Sequence, residues 1–95
     1  MNNRITTKDL ERAVLILNRV SRQAIEPYTR VTNSLGEVRF AHNIGNYHLD
    51  GAYGKVKLVQ LVNGAGGTKN ITGFTTKREL YNIISALVEY NVVRV

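Results

Sequence analysis

The chain reads as a single α+β domain over residues 1–95. It comprises an N-terminal helix, a four- to five-stranded antiparallel sheet and a C-terminal helix, with both helices packing on one sheet face. Three observations predict this. Leu10, Ala13, Val14, Leu17, Val20 and Ala24 recur at helical spacing. Residues 28–74 break into short runs with strand character, separated by Gly- and Asn-rich turns. Leu80, Ile83, Ile84, Leu87 and Val88 then restore the helical period.

The first helix starts at Thr6 or Thr7, because Thr6 and Asp9 form an acidic variant of the capping box. Pro27 ends the run, since the residue before proline avoids the helical region. Leu15 and Ile16 widen its apolar stripe, which predicts a second burial against another subunit. Tyr28 to Val31 and Glu37 to Ala41 read as strands around Asn33-Ser34-Leu35-Gly36. Tyr47 to Ala52 is a third strand. Gly51 and Gly54 then bracket Ala52 and Tyr53, which predicts a bulge or tight turn presenting Tyr53. Lys55 to Val62 is a fourth strand, whose apolar phase shifts at Leu58 and Val59, as at a bulge or an edge-to-buried transition. Asn63-Gly64-Ala65-Gly66-Gly67 is a turn, and Lys69 to Phe74 a fifth strand. Thr76 and Glu79 frame the second helix as a capping box. The apolar tail Val92-Val93-Arg94-Val95 reads as a short docking strand or a partner contact.

Composition narrows the function. No cysteine is present, which removes thiolate nucleophiles, iron–sulfur clusters and cysteine zinc sites. No apolar run approaches the ~20 residues that span a bilayer, and no signal-peptide stretch is visible, so a soluble intracellular protein without membrane contact is expected. Thirteen Lys and Arg against seven Asp and Glu give a net charge of +6, which favours an anionic partner. No nucleophilic triad or carboxylate pair is evident, so no enzymatic activity is expected, and no cofactor. His42, His48 and Asp50 could supply three metal ligands, yet a polar strand face explains them equally well, and no metal is expected.

Binding has better support. Lys77 and Arg78 sit in the first turn of the second helix, where the dipole disfavours cations unless an anion arrives. Gly66 and Gly67 would allow close approach of a phosphate or ribose, or form a plain turn. Tyr53 could stack on a base, and Asn63 could bond a base edge or cap its own turn. Lys8, Arg12, Arg19 and Arg22 cluster on the first helix, either as a solvated face or as an anion site where subunits meet.

Glu26-Pro27-Tyr28, NIGNYHLDGAYG (residues 43–54), NGAGG (63–67) and TKRELYN (76–82) resemble a family of small bacteriophage proteins, and the arrangement is similar to the Thoeris anti-defence 1 proteins. These sponges sequester cyclic ADP-ribose isomers made by bacterial TIR-domain sensors and are associated with cyclic oligonucleotides at a separate site in a hexamer. The resemblance implies a nucleotide-binding homo-oligomer, dimer or hexamer, in the cytoplasm of the infected host. It implies Tyr53 as the stacking aromatic, Asn63 as the pocket asparagine, Arg78 and Arg30 as closing arginines, and Arg19 and Arg22 at a second anion site. The alternatives are a small basic phage protein that binds nucleic acid and a protein-directed inhibitor of a host defence complex.

Overall fold

Thr6 stands in extended backbone, its hydroxyl accepts from the Asp9 N–H (3.2 Å), and Asp9 Oδ2 accepts from the Thr6 N–H (2.9 Å). This reciprocal pair opens helix α1, Thr7–Val20. The computed structural model describes residues 4–93, apart from the Val93 side chain. α1 stops before Ala24 and Pro27. Arg22 takes the left-handed conformation (φ 59°), its N–H donates to Arg19 O (3.1 Å), and the Gln23 N–H donates to Asn18 O (2.7 Å). That pair of bonds is a Schellman ending, which satisfies carbonyls the last turn would leave open. Arginine is an unusual occupant, because left-handed backbone costs a residue with a Cβ roughly 1–2 kcal/mol.

Among the described residues, five antiparallel strands follow, divided between two sheets where one was expected. Among the described residues β1 (Tyr28–Thr32) pairs only with β2 (Val38–His42), with Tyr28 opposite His42 and Thr32 opposite Val38. β3 (Tyr47–Ala52), β4 (Lys55–Leu61) and β5 (Thr68–Asn70) form the second sheet in that order. The division falls at Asn43–Asn46. Gly45 is left-handed (φ 97°) and its N–H donates to Leu61 O (2.8 Å), while Asn46, fully buried, donates from Nδ2 to Ala24 O (2.7 Å) and Ile25 O (3.2 Å). The chain is thereby turned onto β4 before it can continue beside β2.

β5 is shorter than its sequence run. Four residues separate Asn70 from Thr75, but only two separate their partners Val59 and Val56 on β4. The surplus bulges out, with the Ile71 and Thr72 N–H groups both donating to Leu58 O (2.9 and 3.3 Å). The bulge therefore lies on the segment after β5. β4 itself keeps its register, and its apolar phase shift records burial on both faces, with Leu58 toward the helices and Val59 and Leu61 on the opposite side.

Helix α2, Lys77–Val93, continues through Val92 and Val93, so the tail extends the helix; Arg94 and Val95 lie outside the described residues. Leu10, Val14 and Leu17 of α1 meet Leu80 and Ile84 of α2 over Leu58, with Tyr47, Leu49, Val56 and Ile71 at the margin. Both helices thus cover one face of the three-stranded sheet. Ile16, expected in a second burial, is 41% exposed beside a groove of about 200 Å³ between the helices.

One buried amide fastens α1 to the sheet. Asn18 Nδ2 donates to Tyr47 O (2.9 Å) and Asn18 Oδ1 accepts from the Tyr47 N–H (2.8 Å). The carboxamide takes the place of a neighbouring strand at the start of β3. Asn18→Ala should lower stability by about 2–4 kcal/mol, because each buried backbone group left unpaired costs ~1–3 kcal/mol. Arg22→Gly should raise it by about 1 kcal/mol, through relief of left-handed strain. Urea unfolding followed by circular dichroism reads both shifts.

Candidate functional site

Tyr53 and Gly54 are the two central residues of the hairpin between β3 and β4, with Ala52 opposite Lys55. Both have positive φ (54° and 74°), as a two-residue type I′ turn requires. Glycine accepts that backbone freely and tyrosine does not. The strain lies in the Tyr53 backbone, and its ring is fully exposed, at 102% of its reference area. An aromatic held there satisfies neither packing nor turn preference, which makes it a candidate contact for something outside the chain.

The helix starts come to the same place. Asn18 lies at the C-terminal end of α1 and bonds Tyr47 at the beginning of β3, so α1 runs antiparallel to that strand. Twelve residues of helix back to Thr6 span ~18 Å at ~1.5 Å each. Six residues of strand on to Tyr53 span ~20 Å at ~3.3 Å each. The two lengths match, and Thr6 arrives beside the hairpin tip. α2 arrives through Thr75, which exchanges backbone bonds with Val56 (3.0 and 2.7 Å) next to the hairpin. Thr76 then caps α2, accepting from the Glu79 N–H (3.2 Å) and donating to Glu79 Oε1 (3.1 Å).

The result is an open depression of about 890 Å³. Tyr53 and Gly54 form one side, Thr6 and Thr7 a second, and Thr76, Lys77 and Arg78 a third, with Arg4, Ile5 and Lys55 completing it. Four cations and no carboxylate line it among the described residues. Two helix N-termini point their positive ends into it. Hydrogen bonds from the Thr6 N–H and hydroxyl, helped by Arg12, hold the Asp9 carboxyl below its ordinary pKa, so that carboxylate is committed to its cap.

Tyr53, Lys77 and Arg78 are therefore brought together as the sequence reading anticipated. Arg4, Lys55 and Thr6 were not anticipated as site residues. Lys55 next to Gly54 was the available signal, while Thr6 was legible only as a cap.

The other candidates lie elsewhere. Asn63 stands at the far end of β4 from Tyr53, roughly 20 Å or more away along an extended strand. Its Oδ1 accepts from the Ala65 and Gly67 N–H groups (3.0 and 2.9 Å), so it builds its own turn. Asn33 does the same for Leu35 and Glu37 (2.9 and 3.0 Å), and both loops place a left-handed glycine three residues on, at Gly36 and Gly66. A Cβ on Gly66 would lie 3.0 Å from the His42 ring, and one on Gly67 would overlap Asn63, so neither glycine faces an empty ligand space. Arg30 is on β1, opposite Phe40. Arg19 and Arg22 are at the C-terminal end of α1, away from the depression, where Arg19 complements the helix dipole and Arg22 forms the Schellman ending.

His42, His48 and Asp50 do not converge. His42 lies against Gly66, Asp50 pairs with Lys57 at 4.0 Å, and Lys57 in turn lies 4.7 Å over the Phe74 ring. No group of three His, Asp or Glu side chains that could hold a metal occurs among the described residues. Asn46 Nδ2 donates to two carbonyls, so its Oδ1 is the acceptor, and His48 Nδ1–H donates to it at 3.2 Å. Partial burial holds the His48 pKa below the ordinary value, against the opposing pull of Asp50. Its stabilising contribution is present above about pH 6.5 and declines as pH falls below that, because the unfolded ring takes up a proton more readily. The urea midpoint should therefore fall between pH 7.5 and pH 5.5, with a smaller fall in His48→Gln.

Comparison with known proteins found no match: no family model, no curated protein and no solved structure is similar to this chain at a significant level. No helix among the described residues is long and apolar enough to cross a membrane.

Proposed function

We propose that this chain binds and sequesters a cyclic nucleotide second messenger, a cyclic ADP-ribose isomer or a cyclic oligonucleotide, without cleaving it. On this reading it is a phage immune-evasion sponge acting in the cytoplasm of an infected bacterium. The observation that supports it is the meeting of the exposed Tyr53 ring with Lys77 and Arg78 in one basic depression. An aromatic platform beside cations and helix starts suits a base joined to phosphates. The volume falls within the ~300–1,000 Å³ of small-molecule sites. That the nucleotide is a cyclic signal rests on the resemblance of residues 43–54, 63–67 and 76–82 to the anti-defence family.

The separation of Asn63 and Arg30 from Tyr53 refines the site. Within one chain the ligand contacts are Tyr53, Lys77 and Arg78, joined by Arg4, Lys55 and the threonines of the two caps.

The test is capture and release. Purified protein is mixed with cyclic ADP-ribose isomers and cyclic di- and trinucleotides, filtered, heated, and the released material identified by mass spectrometry. One intact species at near-stoichiometric yield is expected. Tyr53→Ala should weaken capture tenfold or more, since stacking on one base is worth ~1–3 kcal/mol. Lys77→Ala combined with Arg78→Ala should weaken it similarly. Retention unaffected by either change overturns the site, and a shortened product makes the protein an enzyme. Retention only of oligonucleotides, falling steeply with salt, would make it a nucleic-acid-binding protein.

A further inference from the structure

The outer edge of β3 is open. In an antiparallel pair, alternate residues send their N–H and C=O groups to the neighbouring strand, and the others send them to the far side. Tyr47 sends both to Asn18, so it is one of the latter. Leu49 and Gly51 follow at the same two-residue period and face outward as well. His48, Asp50 and Ala52 turn instead to Val59, Lys57 and Lys55 of β4. β4 keeps the same alternation, because Val56 and Leu58 bond away from β3, to Thr75 and to the Ile71–Thr72 bulge. Among the described residues nothing donates to or accepts from the outward groups of Leu49 and Gly51. Asn18 thus fills the first position of a missing strand and leaves the next two open.

A groove of about 460 Å³ lies at this edge, where Asn18, Tyr47 and Leu49 line it. Leu15 of α1 and Ile25 of the following linker give it apolar walls. Its charged lining is Glu11 and Glu26, with no lysine or arginine among the described residues that line it. Neither carboxylate is ion-paired among the described residues. In a chain of net charge +6, this is an acidic place.

The pattern of side chains along the edge selects the occupant. Residues directly opposite across an antiparallel pair share a face. Leu49 lies on the helix side, at the margin of the core, and Asp50 on the other side. An added strand would set one apolar side chain beside Leu49 and a second over Gly51, which has no side chain to fill its place. The residue between them would stand opposite Asp50. The Asp50 side chain is 57% exposed, and its single ion pair, with Lys57, is long at 4.0 Å, so a cation fits there. A second copy of β3 does not fit. The antiparallel register that uses both Leu49 and Gly51 sets Asp50 against the copy's own Asp50, and like charges directly opposite destabilise a sheet. We propose that the β3 edge is a strand-addition site for an extended segment of a different protein, with an apolar–basic–apolar sequence. Its backbone pairs with Leu49 and Gly51, its basic side chain meets Asp50, and the residues beyond Leu49 enter the groove of Glu11 and Glu26.

The probe is a fluorescein-labelled hexapeptide of alternating lysine and valine, titrated with the full chain and followed by fluorescence anisotropy. Saturable one-to-one binding is expected. The same peptide with N-methylated valines keeps its charge and side chains but loses the N–H groups that pair, and it should bind about tenfold more weakly or worse. A peptide with glutamate in place of lysine should bind no better than that. Gly51→Pro removes one edge N–H where proline is tolerated, since that group faces away from the sheet, and should weaken the lysine probe about tenfold. Asp50→Asn should weaken it about threefold. The N-methylated probe tests the pairing without any variant having to fold. No saturable binding, equal binding of the N-methylated or glutamate peptide, or indifference to Gly51→Pro overturns the site. A wild-type dimer in light scattering that Gly51→Pro converts to monomer gives the edge to a second copy and overturns it too.

Discussion

The architecture hangs on the reciprocal amide bond between Asn18 and Tyr47. It joins residues 29 positions apart, sets the direction of α1 along β3, and sets the height at which α1 sits. Everything at the opposite end follows from that register. A shift of one helical turn would carry Thr6 ~5.4 Å past the Tyr53 turn and open the depression on one side. Asn46 plays the same part for the linker after α1, holding Ala24 and Ile25 against the start of β3. Two buried carboxamides thus do what a larger protein would do with additional core. A 95-residue chain has few apolar residues to spare, and its central cluster is six side chains.

The charge distribution separates the molecule into two regions. One end carries Arg4, Lys55, Lys77 and Arg78 around two helix starts, with Asp9 and Glu79 turned into their own caps. The projecting β1–β2 ribbon exposes Tyr28, Val31, Val38 and Phe40, with Arg30 and Arg39 as its only strand charges. The strain at Tyr53 belongs to the first region and the bare Tyr28–Phe40 pair to the second, so each carries a feature that folding of the isolated chain does not require.

Much of the fold was legible. The starts of both helices, the third strand, the turn that displays Tyr53, and the packing of both helices on one face all followed from capping residues, glycines and periodicity. The errors have physical causes. α1 was read to Ala24 because its spacing continues there, but a left-handed arginine ended it at Val20, and arginine gives no sign of that role. The five strands were read as one sheet because each has the right pattern; the buried Asn46 that diverts β3 from β2 looks like any turn asparagine. The phase shift in β4 suggested a bulge there, and the bulge lies across from it, between Asn70 and Thr75. For the site, Tyr53, Lys77 and Arg78 were found together, whereas Asn63, Gly66 and Gly67 proved to serve their own loop.

What the sequence alone determined is therefore local. Caps depend on a residue three positions away, turns on one or two glycines, and helical stripes on neighbours at i+3 and i+4, and all of these can be read from the string. What only the tertiary structure decided is which local pieces share a surface. The lengths of α1 and β3, matched through one amide bond, bring Thr6 to Tyr53. The length of β4 keeps Asn63 from both. Such distances are sums over whole elements measured from a contact between residues far apart in the chain, and no short stretch of sequence contains them.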